Sequence, residues 1–210
     1  MARTQSSNDW LKEHFQDIYV KMAQKQGLRS RAAFKLSQIN ERDRIIQPGM
    51  FVVDLGSSPG GWSQITSQLL KGRGQIIALD ILAMPPLPGV NFIQGDFRDE
   101  AVLKELEVSL NNHPIDLVLS DMAPNMSGMD SIDQPKVMYL AELALAFAVE
   151  YLKEDGDFLV KVFQGTGFDE YLKNLRLHFK KVVIRKPKAS RSRSPEQFLL
   201  ARGKKQVKSL

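Results

Sequence analysis

Short apolar runs alternate with longer segments of helical periodicity through the middle of this chain. The runs predict five strands, which end near Leu55, Asp80, Gln94, Ser120 and Phe163. Apolar residues at helical spacing lie between them and predict helices at about 61–71, 98–110, 135–153 and 168–179. Strands that alternate with helices in this way form a parallel sheet covered on both faces. We therefore predict an α/β fold with a doubly wound, mostly parallel sheet.

The two ends of the chain add helices before the first strand and strands after the last helix. Six apolar residues recur at helical spacing behind a capping candidate at Asn8 or Asp9; they are Trp10, Leu11, Phe15, Ile18, Tyr19 and Met22. A second helix is predicted over residues 30–40, after Gly27. Residues 182–185 and 197–201 are predicted to be two strands joined by a basic loop. They bring the predicted sheet to seven strands and could place one antiparallel strand in it.

The length of the chain favours one domain. Its 210 residues can bury a substantial core, and no linker interrupts them. We predict a single domain over residues 1–210, with an N-terminal helical basic extension at 1–48, a core at 49–202 and a basic tail at 203–210. The extreme ends, 1–8 and 203–210, are candidates for disorder. No element has the pattern of a dimer seam, so we expect a monomer.

Composition excludes several classes of protein. The chain contains no cysteine, which excludes disulfides and thiolate metal sites and fits a reducing cytosol. The three histidines are scattered without the spacing of metal ligands, so we expect no metal. The first residues lack the apolar core of a signal peptide. The longest apolar run, residues 143–149, is far too short to span a bilayer. We therefore expect a cytoplasmic protein without membrane contact.

The charge is distributed unevenly and predicts a nucleic-acid partner. Residues 1–50 carry a net charge of +4, residues 51–170 of −11 and residues 171–210 of +12. If the fold brings the two basic ends together, they form a positive face suited to a phosphate backbone. The alternative is a set of solvated lysines, which explains the arginine-rich run at 185–193 poorly. The predicted RNA contacts are Arg29, Arg31, Lys35, Arg185, Lys188, Arg191 and Arg193.

A glycine-rich turn follows the first predicted strand. The sequence VDLGSSPGGW at 53–62 joins a strand to a helix and lets backbone approach a nucleotide-like ligand. Its glycines, which include Gly56 and Gly60, do not have the spacing of the dinucleotide fingerprint. The carboxylate of Asp54 suits a cationic ligand, such as the amino group or sulfonium of S-adenosylmethionine. The alternative is a strand-to-helix turn without a ligand.

Acidic residues end the next strands as well. Asp80 lies 19 residues after Gly61, where doubly wound folds hold a ribose hydroxyl pair. Asp96 could accept a hydrogen bond from the exocyclic amine of an adenine. A single aspartate after a strand is often only a helix cap, but three in register favour one binding crevice.

The fourth and fifth strands predict a charged pair at the same crevice. Asp121 follows the fourth strand, and the carboxyl ends of parallel strands share one edge of the sheet. Lys161 lies in the otherwise apolar end of the fifth strand, where a buried lysine needs a partner such as Asp121. A purely structural ion pair is the alternative.

Motifs spread over residues 10–201 resemble those of the FtsJ-type ribosomal RNA large-subunit methyltransferases. They are GLRSR at 27–31, FKL at 34–36, VDLGSSPGGW at 53–62, GDFRD at 95–99, SDMAPNMSG at 120–128 and VKVFQG at 160–165. The resemblance implies a Rossmann-like methyltransferase core at residues 49–202. It also implies transfer of a methyl group from S-adenosylmethionine to the 2′-hydroxyl of a uridine in large-subunit ribosomal RNA, within the large ribosomal subunit. Two mild departures, Ser57-Ser58 in the turn and residues 195–198 in the last strand, keep the size and role of the usual residues.

The resemblance also assigns roles to residues. The family's catalytic Lys-Asp-Lys-Glu tetrad corresponds by motif to Lys35, Asp121, Lys161 and Glu196. Its cofactor site corresponds to Gly60, Trp62, Asp80, Asp96 and Asp121.

The role of Lys161 remains open at this point. It could act as a neutral base, which the like charge of Lys35 would favour. It could instead stay charged, as Asp121 and Glu196 would favour, and stabilise the developing alkoxide. An RNA-binding assembly factor without catalysis is the rival function, and the complete tetrad argues against it. A nicotinamide-dependent dehydrogenase and a small-molecule methyltransferase fit the glycine spacing or the basic ends less well.

Overall fold

A computed structural model describes residues 17–206 of the chain, apart from the side chain of Asp130. In this range the chain forms six helices and seven strands. The strands are β1 (Phe51–Leu55), β2 (Gln75–Asp80), β3 (Val90–Gln94), β4 (Ile115–Ser120), β5 (Leu152–Phe163), β6 (Phe179–Arg185) and β7 (Glu196–Lys204). The helices are α1 (Ile18–Lys25), α2 (Ala33–Asp43), α3 (Gly61–Leu70), α4 (Glu100–Leu110), α5 (Asp130–Tyr151) and α6 (Phe168–His178).

All seven strands form one sheet in the order β3-β2-β1-β4-β5-β7-β6. The pairs among β1 to β5 are parallel, and β7 runs antiparallel to both β5 and β6. The predicted mostly parallel α/β sheet with one antiparallel strand is thus confirmed. The strand order reverses between β1 and β4, and ligands of doubly wound sheets bind at such a switch point, beyond the carboxyl ends of the strands.

Helices cover both faces of the sheet. On one face, α2 and α3 pack against the strands through buried residues such as Leu36, Ile39 and Trp62. On the other face, α4, α5 and α6 contribute residues such as Phe147 and Leu175. Central strands covered on both faces are largely apolar, and every residue of β1 is buried, including Asp54. The two apolar layers hold the carboxyl ends of the strands in fixed positions.

The structure corrects two boundaries of the sequence prediction. Helix α5 begins at Asp130 rather than at 135, because side-chain contacts described below stabilise the turn ahead of Pro135. Strand β7 includes Gly203 and Lys204, which were assigned to the tail. Lys204 pairs with Phe179 in the sheet, and its Nζ donates to the carbonyl oxygen of Leu152 at 2.6 Å.

The N-terminal segment is described from Asp17 onward. The carboxylate of Asp17 caps α1 by accepting a hydrogen bond from the amide of Tyr19 at 2.9 Å. The predicted apolar positions 10–15 and the capping candidates Asn8 and Asp9 lie outside the described residues. Across residues 17–206, no helix combines the length and apolarity that a membrane crossing requires.

Candidate active site

The glycine-rich turn lies against the loop that follows β4. Gly56 has a positive φ of 77°, and a Cβ there would come within 2.7 Å of the backbone of Met122. The amide of Asp121 donates to the carbonyl oxygen of Leu55 at 3.1 Å. Glycine is therefore required at 56 because the loop carrying Asp121 packs directly against it.

Asp121 and Lys161 meet at the carboxyl ends of the central strands β4 and β5. The Nζ atom of Lys161 lies 2.9 Å from Asp121 Oδ1 and donates a hydrogen bond to the Asp121 carbonyl oxygen at 2.5 Å. The contact with Oδ1 is an ion pair without the alignment of a hydrogen bond. The amine of Lys161 is buried, so the pair lies in a medium that strengthens electrostatic interactions.

A second buried pair joins the N-terminal segment to the last strand. The Nζ atom of Lys35 on α2 donates to Glu196 Oε2 at 2.6 Å. The hydroxyl of Ser190 donates to the other oxygen, Glu196 Oε1, at 2.7 Å. Both oxygens of this buried carboxylate therefore have donors, as a buried charge requires.

Strand register places the two pairs on one face of the sheet. Lys161 of β5 lies opposite Phe198 of β7, and Glu196 precedes Phe198 by two residues on the same face. The Nζ atom of Lys35 lies 5.6 Å from the centre of the Phe198 ring. Lys161, Glu196 and Lys35 thus lie around Phe198 near the carboxyl end of β5, and Asp121 joins them through its contact with Lys161.

Asp54 does not face the crevice as predicted. Its side chain is fully buried beneath α3, where Oδ2 accepts a hydrogen bond from Ser63 at 2.6 Å. Burial raises the pKa of Asp54 to about 7, and repulsion by the carboxylates of Asp121 and Asp80 adds to the rise. The prediction that Asp54 faces the crevice failed because Asp54 lies inside β1 rather than beyond its end. A direct contact between Asp54 and a ligand is therefore wrong for this structure.

Asp80 lies at the end of β2 with its carboxylate directed along the glycine-rich turn. Oδ2 accepts from the amide of Ser58 at 2.9 Å, and Oδ1 accepts from the amide of Leu82 at 2.8 Å. A carboxylate oxygen can accept more than one hydrogen bond, so each oxygen of Asp80 could also accept one from a ribose hydroxyl. The role of Asp80 in cofactor binding remains a prediction.

Asp96 follows β3 and is held by a neighbouring cation. Arg98 forms a forked ion pair with it, with Nη2 at 2.6 Å from Oδ2 and Nε at 2.9 Å from Oδ1. These hydrogen bonds lower the pKa of Asp96 to about 2. The carboxylate stays ionised and partly exposed, and its contact with an adenine remains a prediction.

Trp62 belongs to the core rather than to an open crevice. Its indole is buried, its Nε1 donates to the carbonyl oxygen of Ala32 at 2.9 Å, and its ring centre lies 5.7 Å from that of Phe198. Its backbone amide, by contrast, lies in the first turn of α3, where N–H groups have no hydrogen-bond partner within the helix. Gly60 caps that helix with a φ of 102°.

Arg29 connects the N-terminal segment to the glycine-rich turn. Its Nη1 donates to the carbonyl oxygens of Pro59 at 3.2 Å and Pro85 at 2.6 Å, and its Nη2 donates to Pro86 at 2.7 Å. The guanidinium ties residues 81–89 to the turn, which favours a structural role. An RNA contact by Arg29 stays a prediction.

The fold brings the two basic ends together and pairs several of their arginines internally. Arg31 Nε lies 3.0 Å from Asp17 Oδ2, and Arg191 Nε lies 3.8 Å from the same oxygen. Arg185 donates to Asp43 through Nε at 2.7 Å and Nη2 at 2.6 Å. The two carboxylates offset part of the positive charge that the sequence places here.

Other basic residues of this face are exposed to solvent. Lys188 and Arg193 lie in the β6–β7 loop, and Lys21 and Lys25 lie on α1. Lys21 and Lys25 were not among the predicted RNA contacts. Because their side chains are exposed, these residues can reach phosphate, and they extend the candidate RNA face.

Asp133 orders the loop that follows β4 and was missed in the sequence. Its buried carboxylate accepts hydrogen bonds from the amide and hydroxyl of Ser127, at 2.9 and 2.8 Å, and from the amide of Gly128 at 2.8 Å. The hydrogen bonds from Ser127 are the main cause of its lowered pKa. An aspartate near the start of a helix could have indicated this contact, but the helix was predicted to begin after it.

The adjacent Gln134 holds the loop that follows β5. Its Nε2 donates to the carbonyl oxygens of Phe163 at 3.0 Å and Thr166 at 3.1 Å. The first turns of α5 therefore connect the loop that carries Asp121 with the loop that follows the strand of Lys161. These contacts also explain why α5 begins before Pro135. In the described part of the chain, no group of three His, Asp or Glu side chains is arranged to hold a metal ion.

One family model and several relatives match most of this chain. A family model described as FtsJ-like methyltransferase matches residues 28–204. A relative from Xylella fastidiosa (strain M12) is 58% identical over 204 residues, which cover 97% of this chain and 96% of the relative. A relative from Pseudomonas aeruginosa (strain UCBPP-PA14) is 59% identical over 203 residues, which cover 97% and 98%. Both relatives bear the name "Ribosomal RNA large subunit methyltransferase E".

A solved structure has the same fold. It is a protein from Plasmodium falciparum that is assigned as a ribosomal RNA methyltransferase. The two structures superpose with a TM-score of 0.76 at 28% sequence identity, over 84% of this chain and 98% of that chain.

Proposed function

Because this chain belongs to the family of FtsJ-like methyltransferases, as its motifs predicted, we propose that it methylates the 2′-hydroxyl of a uridine in large-subunit ribosomal RNA. Relatives that share more than half of its residues over nearly its full length carry names for large-subunit ribosomal RNA methylation. The observation that supports the proposal most directly is the pair of buried lysine–carboxylate contacts on one face of the sheet.

S-adenosylmethionine is the proposed methyl donor. The charges at the crevice fit a cation, since Asp80 and Asp121 lie close enough to Asp54 to raise its pKa. Asp80 would hold the ribose hydroxyls, Asp96 the adenine amine, and the first-turn amides of α3 would lie against the ligand beside Gly60. When bound, the donor supplies an activated methyl group. The protein's own task is to bind, align and handle one proton.

Alignment is the first contribution of the side chains. Holding the ribose oxygen in line with the methyl carbon can supply roughly 7–11 kcal/mol in favourable cases. The ribose oxygen would accept the methyl group as the carbon–sulfur bond breaks, and the hydroxyl proton would pass to water or, in the alternative described below, to Lys161. Lys161 and Asp121 lie at the carboxyl end of the strands, where we place the reacting oxygen.

The contacts of Lys161 favour the role of a charged orienter. An ammonium has three N–H donors, of which one donates to the Asp121 carbonyl oxygen, while Asp121 Oδ1 lies beside the amine as an ion pair. Another donor would be left for the ribose oxygen, whose developing negative charge it would stabilise. Lys35 and Glu196 would complete the site from the neighbouring strand and helix. A neutral Lys161 that takes the proton is the alternative, and a positioned base typically gives about 10²–10⁴-fold.

RNA would lie along the positive face formed by both ends of the chain. Its phosphates would meet Lys188, Arg193, Lys21 and Lys25, which are exposed. Binding through such contacts releases counterions, so the affinity for RNA should fall steeply as salt is added. A flat salt response would argue against this face.

The proposal is tested by incubating the purified protein with labelled S-adenosylmethionine and either naked ribosomal RNA or isolated large subunits. Methylation at one ribose 2′-oxygen of a uridine, mapped in the product, is the expected result. Label on a base, or none on either substrate, would contradict it. The two substrates also show whether the assembled subunit is required.

Substitutions at 161 then separate the two roles of the lysine. Lys161→Ala should abolish turnover and leave cofactor binding nearly intact. Lys161→Arg keeps a cation, so it should retain measurable turnover if the residue is an orienter and none if it is a base. Lys173→Ala, which removes an exposed lysine of α6, is the control and should behave as the wild type.

A further inference from the structure

Ser190 turns inward from the arginine-rich loop. The arginine-rich run at 185–193 was expected to face phosphate, yet Ser190 within it is only 7% exposed. Its hydroxyl donates to Glu196 Oε1 at 2.7 Å, and Lys35 occupies the other carboxylate oxygen at 2.6 Å. The serine therefore contacts a member of the candidate catalytic site rather than solvent.

We propose that Ser190 is a positioning residue that sets the side chain of Glu196 so that Oε2 faces Lys35. The inference rests on the proposed function, because it gives Ser190 a role in the same methyl transfer. It also means that one loop forms part of the RNA face and part of the catalytic centre.

The backbone around Ser190 is held by the N-terminal segment. The amide of Ala189 donates to Gln38 Oε1 at 3.0 Å, and the carbonyl oxygen of Ala189 accepts from Arg31 Nη2 at 2.6 Å. The amide of Ser190 donates to the carbonyl oxygen of Pro187 at 2.9 Å, which closes a turn. These bonds fix the position from which the Ser190 hydroxyl reaches Glu196.

The other end of the loop is held to the strand that carries Glu196. Lys186 Nζ donates to the carbonyl oxygens of Ser194 at 2.5 Å and Glu196 at 2.8 Å. The amide of Glu196 donates to the hydroxyl of Ser194 at 3.2 Å. With both ends of the loop fixed, the hydroxyl of Ser190 and the carboxylate of Glu196 have a defined separation.

Removing the hydroxyl would leave one oxygen of a buried carboxylate without its donor. A buried charge that loses a hydrogen bond is destabilised and rotates toward its remaining partners or toward water. Glu196 would then no longer present Oε2 to Lys35 in one fixed geometry. Because RNA contacts lie elsewhere on the loop, affinity for RNA should change little.

The test compares Ser190→Ala with Ser192→Ala, which truncates an exposed serine two residues away in the same loop. In the methylation assay, Ser190→Ala should lower kcat about tenfold, as expected for loss of a hydrogen bond to a charged group. KM for RNA and cofactor affinity by calorimetry should stay close to wild type, and the melting temperature should fall by roughly a few degrees. Ser192→Ala should leave kcat unchanged, and Ser190→Thr, which keeps a hydroxyl, should restore most of the lost turnover.

Further measurements distinguish this role from others. On a Glu196→Ala background, Ser190→Ala should lower kcat no further, because it acts through Glu196. A raised KM for RNA with unchanged kcat would assign Ser190 to the RNA face and overturn the proposal. Equal loss in Ser190→Thr and Ser190→Ala, or an additive loss on the Glu196→Ala background, would also overturn it.

A structural measurement separates this inference from the proposed function. In a crystal structure of Ser190→Ala, the separation between Lys35 Nζ and the Glu196 carboxylate should exceed the 2.6 Å of the wild type. An unchanged Lys35–Glu196 pair would overturn the positioning role whether or not the enzyme methylates RNA. Wild-type protein that fails to methylate would instead contradict the proposed function.

Discussion

The buried carboxyl group of Asp54 predicts how stability changes with pH. The side chain of Asp54 projects from β1 and is fully covered by α3. Among the described residues, its hydrogen-bond donors all belong to Ser63. Burial is the main reason that its pKa rises from 3.8 to about 7. The native protein therefore holds a proton that the unfolded chain releases between these two values.

The sign and size of the effect follow from this difference. A folded-state pKa above the unfolded one contributes stability that is complete below pH 3.8 and is lost as pH rises toward 7. One pKa unit corresponds to about 1.36 kcal/mol, so the whole difference corresponds to roughly 4 kcal/mol. Between pH 5 and pH 8, Asp54 alone should lower the free energy of unfolding by roughly 2–3 kcal/mol.

Urea denaturation of wild type and Asp54→Asn at pH 5 and pH 8 measures this contribution. The asparagine does not titrate, so its free energy of unfolding should fall by roughly 2–3 kcal/mol less between the two pH values. All other ionisable groups are present in both proteins, so their contributions cancel in the comparison. Ser63→Ala is a companion variant: removing a hydrogen bond that lowers the pKa of Asp54 should extend the loss of stability above pH 7. Equal pH dependence in wild type and Asp54→Asn would refute the reasoning.

Three further substitutions test the loops around the crevice. Asp80→Ala should weaken S-adenosylmethionine binding at least about tenfold in calorimetry. Asp99→Ala is the control, because it removes only the cap of α4 and should not weaken binding. Unchanged affinity in Asp80→Ala would show that Asp80 does not belong to the binding site. Arg29→Ala should also weaken binding, by about tenfold, since residues 81–89 lose two hydrogen bonds and the glycine-rich turn loses one; wild-type affinity would show that these contacts are unimportant. Asp133→Ala should speed amide hydrogen exchange at 127–128, and unchanged exchange there would mean that other contacts order the loop.

The pairing of Asp121 with Lys161 could be predicted because it depends on short-range rules. Apolar runs located the strands, and neighbouring parallel strands present their carboxyl ends at one edge. Ser120 and Val160 are partners in the sheet, so the next residues of β4 and β5 lie side by side. For these reasons a sequence pattern sufficed for the central contact.

The position of Asp54 could not be predicted in the same way. The sequence shows that it comes near the end of an apolar run, but one residue decides whether a side chain lies within a strand or beyond it. Alternation along β1 directs Asp54 to the same face as Val52, and α3 covers that face through Ser63. The contact depends on how the helix returns over the sheet, which local pattern does not specify.

The partners of the arginines also lie beyond sequence reasoning. Arg185 pairs with Asp43, 142 positions away, and Arg31 bonds the backbone of Ala189 at a separation of 158. An arginine-rich run has the same composition whether its guanidinium groups face phosphate or carboxylate. Only the packing of α2 against the β6–β7 loop distinguishes these cases, so charge counts overestimated the cations available to RNA.

The same contacts argue that RNA recognition and catalysis depend on one another in this protein. The N-terminal segment contributes Lys35 to the candidate catalytic pair, Arg29 to contacts with the loop beside the glycine-rich turn, and Arg31 to the loop that holds Ser190. The β6–β7 loop in turn presents Lys188 to solvent and fixes Glu196 through Ser190. If RNA binds along these two segments, it acts on the same backbone that positions the second lysine–carboxylate pair. The basic ends are then structural parts of the proposed active site, and they would align the ribose as well as hold the phosphates.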